Sequence, residues 1–205
     1  LPDTRSVREK IRASAVQLFA EMGYHAAPLR DIASLAGIQA ASIYYHYPSK
    51  QALLVEIMDT HMRQLNSNLE NILNQPGGIL EKLNQAIASH IRLHTTYKAE
   101  FFIIDTEIRA LEEEQRKEIL AQRDEYEHLF QSLLQEGMDA GILRTSDVKI
   151  TSYAIIAMCT EVASWFRTKG RLTVQQVIDI YSQIITDGLL LKVAPAETPE
   201  ESART

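Results

Sequence analysis

Leu29-Arg30-Asp31-Ile32-Ala33-Ser34-Leu35-Ala36-Gly37-Ile38-Gln39-Ala40-Ala41-Ser42-Ile43-Tyr44-Tyr45-His46-Tyr47-Pro48-Ser49-Lys50 is the stretch that decides how this chain is read. Helical spacing runs from Leu29 to Ala36 and stops at Gly37. It resumes from about Ala40 to Tyr45 and halts before Tyr47-Pro48, because the residue preceding a proline disfavours the helical region. Ala36 and Gly37 let the chain turn sharply, and Ile38 pins the second short helix against the first. This is the pattern of a helix-turn-helix. Its second helix must offer short or hydrogen-bonding side chains if it is to meet base edges in a major groove. Gln39, Ala40, Ala41, Ser42, Tyr44 and Tyr45 suit that task. His46, Tyr47 and Lys50 follow as candidate phosphate contacts, and Lys50 also opens a further helix whose N-terminus favours a phosphate. Tyr44 and Tyr45 are adjacent, so on a helix they cannot share one face. Tyr47 is read chiefly as core.

Outward from this stretch, helical periodicity dominates and sustained apolar/polar alternation is missing. Val7, Ile11, Ala15, Leu18, Phe19 and Met22 form one stripe, opened by the capping-box spacing Ser6-x-x-Glu9 and closed by Gly23. Pro28 fits the first position of the next helix. Ser49 caps a long helix to about Asn74, ended by Pro76-Gly77-Gly78. Further helices are expected near 79–97, 99–111, 115–140, 147–169 and 173–192, the last opened by Thr173-x-x-Gln176. The expectation is an all-α protein of about nine helices. It divides into a helix-turn-helix unit over 1–54, a helical body over 55–193 and a disordered tail over 194–205.

Composition bounds the function. The 205 residues carry a net charge of −6, with 45% hydrophobic and 23% charged residues, the balance of an ordinary globular protein. Residues 1–50 hold six bases and four acids, so the head is +2 and the remaining 155 residues carry −8. Only the head is suited to approach a polyanion. The single Cys159 excludes an internal disulfide framework and a Cys-rich zinc site. No apolar run is long enough to span a bilayer, and no basic-then-apolar leader opens the chain, so a cytoplasmic protein with no membrane partner is expected. An enzyme is disfavoured, since neither a phosphate-cradling glycine loop nor a G-x-S-x-G motif occurs. No cofactor is expected. A helical interaction module without DNA binding is the other rival, and the head argues against it.

Gly23-Tyr24, Leu29-Arg30-Asp31-Ile32-Ala33, Ala36-Gly37-Ile38 and Ser42-Ile43-Tyr44-Tyr45-His46-Tyr47-Pro48-Ser49-Lys50-Gln51-Ala52-Leu53 together resemble the DNA-binding domain of TetR-family transcriptional regulators, from roughly Arg8 to Leu54. The resemblance implies a homodimeric repressor that binds a double-stranded DNA operator and carries a divergent C-terminal ligand domain. It implies that Arg30 and Tyr44 approach bases, that Gln39, Ala40, Ala41, Ser42 and Tyr45 lie on the recognition helix, and that His46 and Lys50 contact phosphates. Ala27-Pro28 departs from the family, which often has hydroxyl residues there, so a cap and a phosphate contact are missing. Gln39 replaces a common serine. The plain alternative for Arg30 is a surface pair with a nearby acid.

In the body, Tyr153 stands on a helix that is apolar nearly all round, and Val177, Ile178, Tyr181, Ile184 and Ile185 form a stripe on the last helix. Such helices must be covered on every side, and a second copy is a natural cover. The resemblance implies that these two helices build a four-helix dimer interface. Candidate pocket residues are aromatic or soft: Met58, Met62, Tyr97, Phe101, Phe102, Tyr126, Phe130, Met158 and Trp165, each of which equally suits an ordinary core. Trp165-Phe166-Arg167-Thr168-Lys169-Gly170-Arg171-Leu172 is similar to TetR relatives that respond to acyl-CoA or CoA-linked steroid fragments. Arg167, Lys169 and Arg171 suit the phosphates of such a thioester or, equally, complement a helix C-terminus. A small hydrophobic effector of acyl-CoA type is therefore expected, with a free hydrophobic compound as the alternative. His90 and His94, at i and i+4, share a helix face, but two histidines do not make a metal site and none is expected.

Overall fold

A computed structural model describes residues 6–190, and the expected disordered tail lies outside them. Nine α-helices occur among the described residues, and the all-α reading holds. Ser6 caps α1 (Val7–Met22), accepting from the Glu9 N–H while the Glu9 carboxylate accepts from the Ser6 N–H, so the capping box forms as the spacing predicts. Gly23, at φ 82°, ends the helix in a conformation that other residues adopt at a cost. In α2 (Leu29–Leu35), Pro28 occupies the N-cap rather than the first helical position and supplies no side-chain bond. The second half of the motif is not one helix. A 3-10 turn over Ala40–Ser42 leads into α3 (Ile43–His46), because proline at 48 leaves too little chain for a longer one.

The long α4 (Lys50–Asn74) is capped by Ser49 and passes from head to body. The body continues with α5 (Ile79–Thr96), α6 (Lys98–Glu107), α7 (Glu113–Asp139), α8 (Val148–Trp165) and α9 (Val174–Leu189). The helix expected over 99–111 stops at Glu107 and tightens into a 3-10 turn over Ile108–Ala110. The one expected over 147–169 ends at Trp165, leaving residues 166–172 as a connecting turn. Thr173 and Gln176 form the second capping box. Helix α4 packs along α7, α5 against α8 and α9, and α1 against α6, so α6 joins the head to the body. Ile11, Phe19, Ile32, Ile43 and Tyr47 fill the head, and Leu83, Ile87, Phe130 and Leu134 fill the body in one continuous core. No helix among the described residues is long and apolar enough to cross a membrane.

Candidate DNA-reading head and ligand cavity

The head is built around Tyr24. Its ring meets Phe19 edge-on at 5.3 Å, and its backbone N–H donates to Glu107 Oε1 at the end of α6. Lys50 Nζ lies 4.5 Å above the Tyr24 ring and donates to the carbonyls of Tyr24 (2.7 Å), Ala27 (3.1 Å) and His25 (3.3 Å). Three ammonium donors thus meet three carbonyls of the loop before α2. The side chain expected to contact a phosphate thus ties that loop to the start of α4. Gly37, at φ 73°, makes the turn after α2, and the Ile38 N–H donates to the Ala33 carbonyl. Ile43 is fully buried and anchors the reading segment.

That anchoring turns the rest of the segment outward. Gln39, Ala40, Ala41 and Ser42 are exposed, and Tyr44 and Tyr45 are 59% and 89% exposed. Both tyrosines therefore escape the core, which adjacency on a helix permits when a single residue, Ile43, carries the packing. His46 is half-buried, with its ring 5.3 Å from that of Tyr45. Arg30 is exposed and its Nε lies 3.3 Å from Asp31, a surface pair that costs little to break. Tyr47 is buried, as read. Its hydroxyl donates to Glu56 Oε1 at 2.7 Å, beneath the guanidinium of Arg8, which also pairs with Glu56.

In the body, a cavity of about 180 Å³ lies among α4, α5, α6, α7 and α8. Met62, Leu65, Phe101, Ile104 and Ile156 supply its apolar wall. His90, His94, Tyr126 and Thr160 supply a polar one, and Asp105, Arg123 and Glu127 stand beside them. The His90 ring is stacked on His94 at 4.0 Å, and His94 on Phe101 at 3.9 Å. His90 Nδ1 lies 2.8 Å from the Tyr126 hydroxyl, and its Nε2 lies 2.9 Å from Thr160 Oγ1. His94 Nδ1 donates to the His90 carbonyl at 3.0 Å, which leaves its Nε2 as the lone-pair nitrogen. Burial holds His90 well below the usual histidine range, reinforced by the neighbouring His94. Burial also brings His94 down to about 4, against the pull of the His90 carbonyl. Both imidazoles are neutral at pH 7. Burial pushes the Cys159 thiol up to about 12, so it is no nucleophile. Stacked rings do not converge on one point, and no group of three His, Cys, Asp or Glu able to hold a metal occurs among the described residues.

Of the expected pocket residues, Met62, Phe101 and Tyr126 line this cavity. Phe130 is buried next to Tyr126 but does not line it, Met58 is core, and Tyr97 is half-buried against His61. Phe102, Met158 and Trp165 are corrections: all three are exposed on outer helix faces. Arg167 takes the helix-terminus arrangement given as its alternative: its guanidinium donates to the Ser164 and Phe166 carbonyls at the end of α8. Thr160 and Arg123 also line the cavity, and nothing in their local sequence marks them. His90 is visible in the sequence as a ring at helical spacing with His94, a pattern that points to a metal pair rather than to a hydrogen-bonding cavity wall.

The expected dimer stripe also divides. Val177, Ile178 and Ile185 are buried within their own chain, so they cannot serve a partner. Tyr181 is half-buried, its ring stacked 6.4 Å from Trp165. Tyr153 and Ile184 face outward, together with Ile150, Ala154, Ala157, Met158 and Trp165 on α8 and Ile180 on α9.

Residues 11–57 match the family described as bacterial regulatory proteins of the tetR family, and residues 76–189 match the tetracyclin repressor-like C-terminal domain. The chain is 28% identical over 187 residues to the HTH-type transcriptional repressor KstR2 of Mycobacterium tuberculosis, covering 90% of this chain and 93% of that protein. The structure of that ketosteroid transcriptional regulator superposes with a TM-score of 0.85 at 26% identity, over 93% of this chain and 98% of the other. The fatty acid metabolism regulator protein of Bacillus subtilis is 23% identical over 178 residues, 86% of this chain and 92% of its own length. AibR in complex with isovaleryl coenzyme A and operator DNA shares the fold, with a TM-score of 0.78 at 24% identity over 87% of this chain and 97% of the other. These relatives are regulators rather than enzymes, as the sequence reading holds. A second family match that spans most of the body, joined to one over the head, makes this chain a member of the TetR family of DNA-binding transcriptional regulators.

Proposed function

We propose that the chain is a ligand-responsive repressor that binds a near-palindromic operator as a homodimer and releases it when a small hydrophobic effector enters the α4–α8 cavity. The observation that carries this reading is the double role of α6. Phe101, Ile104 and Asp105 stand on the cavity, while Glu107 at the same helix's end accepts from the Tyr24 N–H in the head. A ligand that displaces α6 pulls on the loop that precedes α2. Residues 1–54 are the reading unit and 55–193 the sensing and pairing unit. Arg30, Gln39, Ala40, Ala41, Ser42, Tyr44, Tyr45 and His46 are the DNA-facing set.

Pairing is supported by the outward apolar stripe on α8 and α9. Ile150 is 63% exposed and Ile184 55%, an arrangement that a second copy relieves by burying both. A dimer also fixes the distance between two reading segments at about one helical turn of DNA, roughly 34–36 Å. The effector is taken to be an acyl compound. A relative named for fatty acid metabolism and another described as a ketosteroid regulator support a hydrophobic one. The engagement of Arg167 with carbonyls favours a free compound over a coenzyme A thioester held by that arginine. The test is operator release, followed by fluorescence anisotropy, with matched coenzyme A thioesters and free acyl compounds. Release by at least one class is expected, and release by neither, across short and long chains, contradicts the response.

A further inference from the structure

The cavity's polar wall has a proton count that fixes what it can hold. Tyr126, neutral His90 and Thr160 each carry one polar hydrogen, and the chain they form contains two hydrogen bonds. If His90 Nε2–H donates to Thr160, Tyr126 donates to Nδ1 and the Thr160 hydroxyl proton is left over. If Nδ1–H donates to Tyr126, Thr160 donates to Nε2 and the Tyr126 proton is left over. Either tautomer leaves one hydroxyl donor without an acceptor in the chain, and both hydroxyl residues line the cavity. A hydroxyl donor left over in this way is stabilised by an acceptor brought by the ligand.

Resting on the effector reading above, we propose that this cavity recognises a neutral carbonyl compound, its oxygen held by the hydroxyl that the Tyr126–His90–Thr160 chain leaves over. The cavity of about 180 Å³ sets an apolar wall opposite the hydroxyls, so a carbonyl held there carries its hydrocarbon part across the cavity. Met62, Leu65, Phe101 and Ile104 receive the hydrocarbon part. Neutrality follows from the charges nearby. Arg123 donates to Asp105 at 2.6 Å, and Glu127 stands on the same wall, so the surroundings hold two acids against one base. The neutral imidazoles of His90 and His94 bring no cation that would welcome a carboxylate.

The test uses the full chain with pentan-2-one, its isostere 2-methylpent-1-ene, in which CH2 replaces the carbonyl oxygen, and pentanoate, each titrated by calorimetry. Removing both hydroxyls in Tyr126→Phe/Thr160→Val is expected to weaken the ketone about tenfold while the alkene holds or tightens. Each single substitution leaves one hydroxyl and is expected to weaken the ketone less than threefold, so the losses are not additive. A second measurement needs no variant: the ketone is expected to shift the ring 15N signals of His90 by fixing one tautomer, and the alkene is not. Equal effects of the double substitution on ketone and alkene, tighter binding of pentanoate than of the ketone, equal 15N shifts, or no saturable binding of the ketone would each overturn the proposal. If only the alkene binds and also releases operator, the repressor reading stands and the carbonyl site falls. If the ketone binds as expected but operator affinity is unchanged, the site stands and the response falls.

Discussion

Lys50 and Tyr45 stand five residues apart and play opposite parts. Lys50 donates to three backbone carbonyls, so Lys50→Met leaves those carbonyls without their partner and removes a charged donor worth roughly 1.5–3 kcal/mol. Thermal unfolding of that variant is expected several degrees below wild type, with operator affinity reduced as a consequence; unchanged stability with a reduced salt slope would return Lys50 to the phosphates. Tyr45 touches little of its own chain, so Tyr45→Ala is expected to leave the melting temperature unchanged and to weaken or redirect operator binding. The histidines add a pH dependence. Their folded pKa values lie below the unfolded value near 6.5, so the unfolded chain binds more protons and stability falls as pH drops from about 6.5 towards 4. The slope is expected to approach about 1.4 kcal/mol per pH unit for each histidine, and urea melts across this range should flatten in His94→Phe. Exposure of the reading segment was legible because short polar residues sit around one apolar anchor. The role of Lys50 was not, because its acceptors lie 23 to 26 residues earlier in the chain.

Among the helices, α6 is the one that both borders the cavity and reaches the head, the coupling route of the proposed response. Glu107 reaches the Tyr24 N–H, and nearby Gln51 bridges the head to the chain after α6. With its amide oriented to satisfy both ends, Gln51 donates to the Ala110 carbonyl and accepts from the Glu112 N–H. Glu107→Ala is expected to leave effector affinity within about twofold while reducing effector-driven operator release severalfold, since a ligand shifts an equilibrium only through contacts that differ between the two states. Calorimetry and anisotropy on the same preparation separate these; loss of effector binding itself would place Glu107 in ligand capture rather than in coupling. The helices themselves were legible from the 3.6-residue period and from two capping boxes, Ser6/Glu9 and Thr173/Gln176. The break of the reading segment into a 3-10 turn and the short α3 was not, because periodicity over seven residues cannot separate the two geometries.

For the whole molecule the apolar faces of α8 and α9 matter most. Val177, Ile178 and Ile185 point inward and Ile180 and Ile184 outward, so one continuous sequence stripe is part core and part exposed face. Sequence spacing shows that a helix is covered widely, not which cover belongs to its own chain. Ile150→Glu/Ile184→Glu is therefore expected to yield folded monomers in sedimentation, whereas substitution at Ile178 unfolds the chain. A double variant that stays dimeric removes this interface. The central claim, a paired head that reads DNA, is tested most directly by selecting binding sites from random duplexes with the full chain. The account predicts enrichment of a near-palindrome with half-sites about one helical turn apart, an enrichment that Tyr45→Ala changes; recovery of no enriched sequence from the wild-type chain would contradict it.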